Sequence, residues 1–132
     1  MPAAVVPMLR VLDVSATVTW YQSIGFTVVD TWQEDVQDGG EMTWAELSFG
    51  RGAVMFSTGG QASVAERRDV DLYVYVDDVA DVAHRLASQV AVIEPLHDTF
   101  YGMREFVVRD INGFWLTFGQ HAASAGPAAA DP

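Results

Sequence analysis

The chain has 132 residues, a formal net charge of −11 and no cysteine. Its length fits one domain, and half of its residues are hydrophobic, enough to fill a core without crosslinks. The lack of thiols excludes disulfides and cysteine-based metal sites or nucleophiles. The negative charge argues against nucleic acid as a partner, and no apolar run reaches the roughly 18 residues of a membrane span. Pro7 and Arg10 interrupt the first apolar stretch, so we expect no signal peptide and a cytoplasmic protein.

The first half of the sequence predicts one βαβββ unit. Strands are indicated by β-branched and aromatic residues, and the helix by apolar residues at helical spacing. The order is a strand over residues 5–12, a helix that follows Ser15 and ends at Gly25, a strand over 26–32, a polar loop over 33–41, and a hairpin of residues 42–49 and 53–57.

The pattern restarts after a polar linker over residues 59–69. The second order is a strand over 70–76, a helix that Asp78 could cap, a short strand over 90–93, a loop over 96–102, and a hairpin of 104–108 and 114–118 with an Asn112-Gly113 turn. Residues 121–132 are rich in Ala, Gly and Pro, which predicts a flexible tail.

The two halves of the sequence look like copies of one unit, because they share the same order of predicted elements. Asp13-Val14 and Asp78-Val79 open the two predicted helices, and their offset is 78 − 13 = 65 residues. A single βαβββ unit leaves a sheet edge and a sheet face uncovered, which favours pairing of two units. We predict a single α+β domain over residues 1–120, built from modules over about 5–58 and 70–120.

Three stretches carry a resemblance to a known family. Residues 6–14 (VPMLRVLDV), with Trp20-Tyr21 and Gly25-Phe26 after them, resemble the opening of glyoxalase and bleomycin-resistance proteins. Residues 71–79 (DLYVYVDDV) resemble the start of their second module. Residues 101–113, which run from YGMREF to the Asn-Gly turn, resemble their closing hairpin. From about residue 5 to residue 120 the chain therefore resembles the vicinal-oxygen-chelate superfamily, most closely its antibiotic-binding, bleomycin-resistance branch.

The resemblance implies that the two modules form a curved-sheet cup, completed or exchanged in a homodimer. Enzymes of the superfamily hold a divalent metal in this cup, whereas antibiotic-binding members use it without a metal. Alignment on the family motifs puts Val6, Glu46, Asp71 and Thr117 at the four metal-ligand positions. Valine has no lone pair and threonine is a poor ligand, so a four-ligand centre is not expected. A weak Mg²⁺ or Mn²⁺ site on the two carboxylates stays open as an alternative.

The three histidines do not complete such a site. His84 falls in the second predicted helix, His97 in the loop before the last hairpin, and His121 at the start of the tail. None of them belongs to a closely spaced pair, so each is interpreted as a surface or loop residue.

Strand periodicity predicts which side chains line the cup, because alternate residues of a strand face opposite sides. If Asp71 faces the cup, Tyr73 and Tyr75 do so as well, and Leu72 and Val74 face a helix. The same rule applied to the other strands, with three loop or rim residues added, gives as ligand-binding candidates Met8, Trp32, Trp44, Glu46, Asp71, Tyr73, Tyr75, Phe100, Tyr101 and Trp115. Arg104 and Glu105 of the closing hairpin are expected to take part in a cross-strand ion pair instead.

An aromatic, acidic lining predicts a flat ligand that can carry a positive charge. The leading hypothesis is metal-independent sequestration of an aromatic or cationic antibiotic of the bleomycin, mitomycin or enediyne type, without catalysis and without a cofactor. One alternative is a lyase, isomerase or dioxygenase that uses a divalent metal on Glu46 and Asp71. Another is a dimerisation module in which the same aromatic residues fill a closed barrel or an interface.

Overall fold

The computed structural model describes residues 3–34, 40–61 and 65–122. Parts of the predicted loop 33–41 and linker 59–69, and most of the predicted tail 121–132, lie outside the described residues. The chain divides into two compact units, one up to residue 64 and one from residue 65. Each unit has the order β-α-β-β-β, so the chain contains two repeated modules of the α+β class.

The N-terminal unit consists of a four-stranded sheet and one helix. Its elements are β1 (Met8–Arg10), α1 (Val14–Ser23), β2 (Thr27–Gln33), β3 (Met42–Phe49) and β4 (Gly52–Ser57). The strand order is β1-β4-β3-β2, in which β1 and β4 are parallel and the other pairs are antiparallel.

The C-terminal unit repeats this arrangement. Its elements are β5 (Asp71–Tyr75), α2 (Val79–Leu86), β6 (Ala91–Asp98), β7 (Met103–Arg109) and β8 (Trp115–His121). The strand order is β5-β8-β7-β6, again with one parallel pair, β5 and β8. The topology of the first sheet is therefore reproduced strand for strand, as expected for a duplicated module.

Each helix starts at an aspartate that satisfies a free backbone N–H. The carboxylate of Asp13 accepts from the Ala16 amide at 2.9 Å, and that of Asp78 accepts from the Asp81 amide at 3.1 Å. The prediction that Asp78 caps the second helix is confirmed. In the first helix the cap is Asp13, two residues before Ser15, because an aspartate in extended conformation directs its side chain at the first turn.

One face of each sheet packs against the helix of the same unit. The buried residues of the N-terminal core include Val11, Val14, Val18, Tyr21, Ile24, Phe26, Ala45, Leu47, Val54 and Phe56. Those of the C-terminal core include Val74, Val79, Val82, Leu86, Phe106, Val108, Leu116 and Phe118. The other face of each sheet, here called the N-terminal or C-terminal open face, carries the alternate residues of the same strands.

Two strands differ in length from the sequence prediction. β1 is shorter than residues 5–12, since it pairs with β4 over only three residues. β6 is longer than residues 90–93 and continues through Pro95 to Asp98. Proline is tolerated there because β6 is an edge strand, and its register with β7 shifts between Glu94 and His97. His97 therefore lies in a strand instead of a loop, and His121 is the last residue of β8.

Candidate functional site

The N-terminal open face contains four of the predicted ligand-binding residues. Trp32 of β2 lies directly opposite Trp44 of β3, and Trp32 is 63% exposed. Glu46 lies opposite Met55 of β4, which in turn lies opposite Met8 of β1. Opposite residues share a sheet face, so this surface combines two indoles, two thioethers and a carboxylate.

The C-terminal open face is the more strongly aromatic of the two surfaces. The rings of Tyr73 and Tyr75 lie 4.9 Å apart between centroids, and these residues are 41% and 70% exposed. Both belong to β5, where the buried Val74 between them points to the helix side. The two tyrosines therefore form one accessible ring surface of the kind that stacks on a planar ligand.

Glu105 lies on the same face, on the inner strand β7, although only 4% of it is exposed. The Tyr73 hydroxyl donates to its Oε2 at 2.8 Å, and the Tyr101 hydroxyl lies 2.8 Å from both Oε1 and Oε2. No ion pair to Glu105 is present among the described residues. A buried carboxylate is thus held by two phenols, with no cation among the residues that the structure describes. This arrangement lowers but does not remove the cost of burying its charge.

Gly119 of β8 makes this contact sterically feasible. Gly119 lies between Tyr75 and Glu105 in the register of the sheet, and the Tyr73 ring extends across it. A Cβ built on Gly119 would lie 2.6 Å from Cζ of Tyr73, closer than real Cβ contacts. The lack of a side chain at Gly119 therefore lets the Tyr73 phenol reach from β5 to β7.

The carboxylate changes the acidity of both phenols. Burial, followed by the hydrogen bond to Glu105, raises the pKa of Tyr73 far above its ordinary value. The hydrogen bond to Glu105 is also the largest of the causes that raise the pKa of Tyr101. Both tyrosines therefore keep their protons at neutral pH and act as donors toward Glu105.

The expectation that Glu105 takes part in an ion pair is wrong. Arg104 does form the predicted cross-strand pair, from its Nε to Oδ1 of Asp98 at 2.8 Å. Glu105 projects to the opposite side of β7, as neighbouring residues of a strand must. The sequence contained one signal for this difference, the alternation along β7, but nothing that identified Tyr73 and Tyr101 as the partners.

Asp71 and Trp115 are opposite each other at one end of the C-terminal open face. Arg67 contacts both of them. Its guanidinium forms a two-point ion pair with the Asp71 carboxylate, including Nε to Oδ1 at 3.2 Å, and lies 4.3 Å from the centroid of the Trp115 ring. The Trp115 indole N–H donates to the Glu66 carbonyl at 3.0 Å. Trp115 is therefore fixed in orientation by two contacts.

The predicted rim residues of this unit form an aromatic pair at the turn before β7. The rings of Phe100 and Tyr101 pack edge to face with centroids 5.0 Å apart. Phe100 is 99% exposed, whereas the hydroxyl of Tyr101 turns inward to Glu105. The turn thus supplies one ring to the surface and one hydrogen bond to the buried carboxylate.

The residues at the family's metal-ligand positions do not fit a metal centre. Val6 offers no donor, Thr117 offers only a hydroxyl, and both oxygens of Asp71 already contact Arg67. A cation at Asp71 would have to displace a guanidinium that also contacts Trp115. Within residues 3–34, 40–61 and 65–122, no three His, Asp or Glu side chains form a group able to hold a metal.

Comparison with known proteins decides the family. The profile of the Glyoxalase/Bleomycin resistance protein/Dioxygenase superfamily matches residues 4–118. The chain belongs to this superfamily. A search of curated protein sequences with this chain found no match. In the part of the chain that the structure describes, no helix is long and apolar enough to cross a membrane.

Solved structures share the fold of this superfamily member. TioX from Micromonospora sp. ML1 is 25% identical, with a TM-score of 0.72 over 90% of this chain and 99% of TioX. A bleomycin-binding protein in complex with bleomycin is 17% identical, with a TM-score of 0.66 over 91% and 98% of the two chains. The fosfomycin resistance protein FosX from Listeria monocytogenes is also 17% identical, with a TM-score of 0.66 over 95% and 96%. At 17% identity the likeness establishes the fold alone.

Proposed function

We propose that this protein binds and sequesters an aromatic or cationic antibiotic of the bleomycin, mitomycin or enediyne type, without a metal and without chemical conversion. The observation that carries the proposal is the accessible ring surface of Tyr73 and Tyr75 beside a carboxylate that has no cationic partner among the described residues. Rings supply stacking area for a planar ligand, and acidic groups favour a positively charged one.

The N-terminal open face supports the same function. Trp32 and Trp44 face each other across two strands, and the neighbouring Met8 and Met55 are polarisable side chains that adapt to irregular ligands. The net charge of −11 adds a long-range attraction for cations. A solved structure with the same fold is that of a bleomycin-binding protein in complex with bleomycin, which supports a ligand of this type.

The alternative, an enzyme with a divalent metal on Glu46 and Asp71, has less support. The Arg67 guanidinium occupies the coordination sites of Asp71, and a lone carboxylate is a weak ligand set for a transition metal.

Tryptophan fluorescence tests the proposal directly. Trp32, Trp44 and Trp115 lie on the open faces, whereas Trp20 is on helix α1. We expect saturable quenching by at least one of bleomycin, mitomycin and an enediyne chromophore, unchanged by EDTA. Free tryptophan amide, titrated in parallel, corrects for absorption by the drug. If none of the three compounds gives a saturable change, the proposed function is wrong.

We further propose that the protein is a homodimer, as the family resemblance implies, and that it acts in the cytoplasm, as the sequence predicts. The exposed aromatic residues Trp32, Tyr75 and Phe100 are the kind of surface that a second copy or a ligand covers. Light scattering coupled to size-exclusion chromatography should give twice the mass of 14.4 kDa. A monomer at all concentrations would contradict this part of the proposal.

A further inference from the structure

We infer that Glu105 is the recognition point for a protonated amine of the ligand. The inference rests on the proposed function and deepens it, because it narrows the ligand class to aromatic compounds that carry an ammonium group. It also assigns the charge recognition to a residue outside the family's metal-ligand positions.

The first support is the uncompensated charge of Glu105. This side chain is 4% exposed, and the described residues give it two phenol donors and no cation. The neighbouring arginine, Arg104, lies on the other face of β7 and pairs with Asp98. A ligand ammonium would supply the missing opposite charge in a place where solvent screens it little.

The second support is unused acceptor capacity. A carboxylate has about four lone-pair sites. Oε2 accepts from both tyrosines, whereas Oε1 accepts only from Tyr101, which shares its proton between the two oxygens. Oε1 therefore has a lone pair that accepts no hydrogen bond from the described residues, and it can accept an ammonium N–H once the Tyr101 hydroxyl moves aside.

The third support is the accessibility of Tyr101. It belongs to the turn that follows β6, is 43% exposed and follows the fully exposed Phe100. Tyr73 is held differently, because its ring lies across Gly119 inside the sheet surface. A ligand amine reaches Glu105 by replacing the Tyr101 hydroxyl, while Tyr73 stays in place and continues to donate to Oε2.

The surrounding rings complete the site. Tyr73 and Tyr75 lie side by side on β5, and Tyr101 approaches Glu105 from the turn before β7. Cations interact favourably with the faces of such rings, and an attached aromatic group stacks on them. An arylmethylamine therefore matches the site better than a neutral compound of the same shape.

The test uses two matched probes, naphthylmethylamine and naphthylmethanol, and two-dimensional amide NMR spectra of the isotope-labelled full chain. Compounds of this size bind with a Kd on the order of 1 mM. At neutral pH we expect the amine to bind at least about 10-fold more tightly than the alcohol, since it adds a hydrogen bond between two charged groups. The shifts caused by the amine should centre on residues 73–75, 103–107 and 117–120.

Two variants then separate recognition from structure. Glu105→Gln should remove the preference for the amine, whereas Glu66→Gln, an equal charge change at an exposed position, should keep it. Tyr101→Phe removes the competing hydroxyl, so its affinity for the amine should equal or exceed that of the wild type. If Glu105 only stabilised the fold, Glu105→Gln and Tyr101→Phe would weaken binding of the amine to the same extent. The spectra themselves report whether each variant folds.

Four outcomes would overturn the inference. They are equal affinities of the wild type for amine and alcohol, amine shifts that centre elsewhere, a 10-fold loss in Tyr101→Phe, and a folded Glu105→Gln that keeps the preference for the amine. The wild-type comparison and Tyr101→Phe decide the matter even if Glu105→Gln fails to fold. The antibiotic titration above tests the proposed function separately, so saturable antibiotic quenching with no amine preference would leave the function and remove this site.

Discussion

The ring of Tyr73 lies over the α-carbon of Gly119, and this contact connects β5 to the buried carboxylate on β7. Gly119 does not have a positive φ, so the glycine is needed for space and not for an unusual backbone conformation. Space above Gly119 decides whether the Tyr73 hydroxyl reaches Glu105.

Gly119→Ala should therefore destabilise the protein by about 1–3 kcal/mol, because the added methyl group displaces the Tyr73 ring and its hydrogen bond. Urea unfolding measures the change. Gly52→Ala is the matched control, since its Cβ would make only an ordinary 3.6 Å contact with the Phe49 carbonyl oxygen. The cost of Gly119→Ala should shrink when Tyr73 is first replaced by Val. If Gly119→Ala lowered the free energy of unfolding equally in the wild type and in Tyr73→Val, the Tyr73 ring would not be the group with which the added methyl clashes.

The raised pKa of Tyr73 predicts a loss of stability in alkali. Below pH about 10 both the folded and unfolded states keep the phenolic proton, and the stabilisation is complete. Above that pH the unfolded chain releases this proton while the folded chain retains it, so the free energy of unfolding falls as pH rises. Urea midpoints measured at about pH 9 and pH 11 should show a smaller decline in Tyr73→Phe than in the wild type. A decline in Tyr73→Phe equal to that of the wild type would contradict the assignment.

The accessible rings predict a graded loss of ligand affinity. Tyr75→Leu should weaken binding of a quenching antibiotic about 2- to 13-fold, which corresponds to one stacked pair of rings. Stability should change little, since Tyr75 is 70% exposed. Fluorescence titration gives both affinities. Trp20→Phe on helix α1 serves as the control and should bind as the wild type does. If Tyr75→Leu binds the antibiotic as tightly as the wild type does, the ligand does not stack on Tyr75.

Because Arg67 contacts both oxygens of Asp71, we expect divalent metals to have no effect on the stability of the protein. Adding MnCl₂ or MgCl₂ should leave the thermal unfolding midpoint unchanged, because a ligand stabilises a protein only when it binds the folded state. Calorimetry or a dye-based melt provides the midpoint. A saturable increase that disappears in both Glu46→Gln and Asp71→Asn would instead support the enzymatic alternative.

The turn between β7 and β8 depends on Asp110. Its Oδ1 accepts from the amides of Asn112 and Phe114, both at 2.8 Å, and the residue is buried. Asp110→Ala should cost about 1–3 kcal/mol of unfolding free energy, since it leaves a buried amide without an acceptor. Asp110→Asn retains a side-chain oxygen and should cost less. Asp81→Ala, at an exposed position, should have a minor effect. Equal losses at both positions would show that the two hydrogen bonds of Asp110 do not stabilise the turn.

Much of the fold was accessible from local patterns. The repeated order of strands and helices follows from the periodicity of apolar residues, and the cap at Asp78 follows from a single side chain near its own helix. The limits of β6 were missed because Pro95 suggests the end of a strand, whereas an edge strand tolerates it. Whether a strand lies at an edge is a property of the whole sheet.

The sequence by itself determined which residues alternate on each strand and hence that Tyr73 and Tyr75 share a face, because that spacing is set by the backbone of one strand. Only the tertiary structure decided the role of Glu105. Its partner Tyr73 is 32 residues away, and their contact also requires Gly119 on a third strand. The physical reason is that the strand pairing in the folded sheet sets which distant side chains meet, and periodicity along one strand carries no record of that pairing.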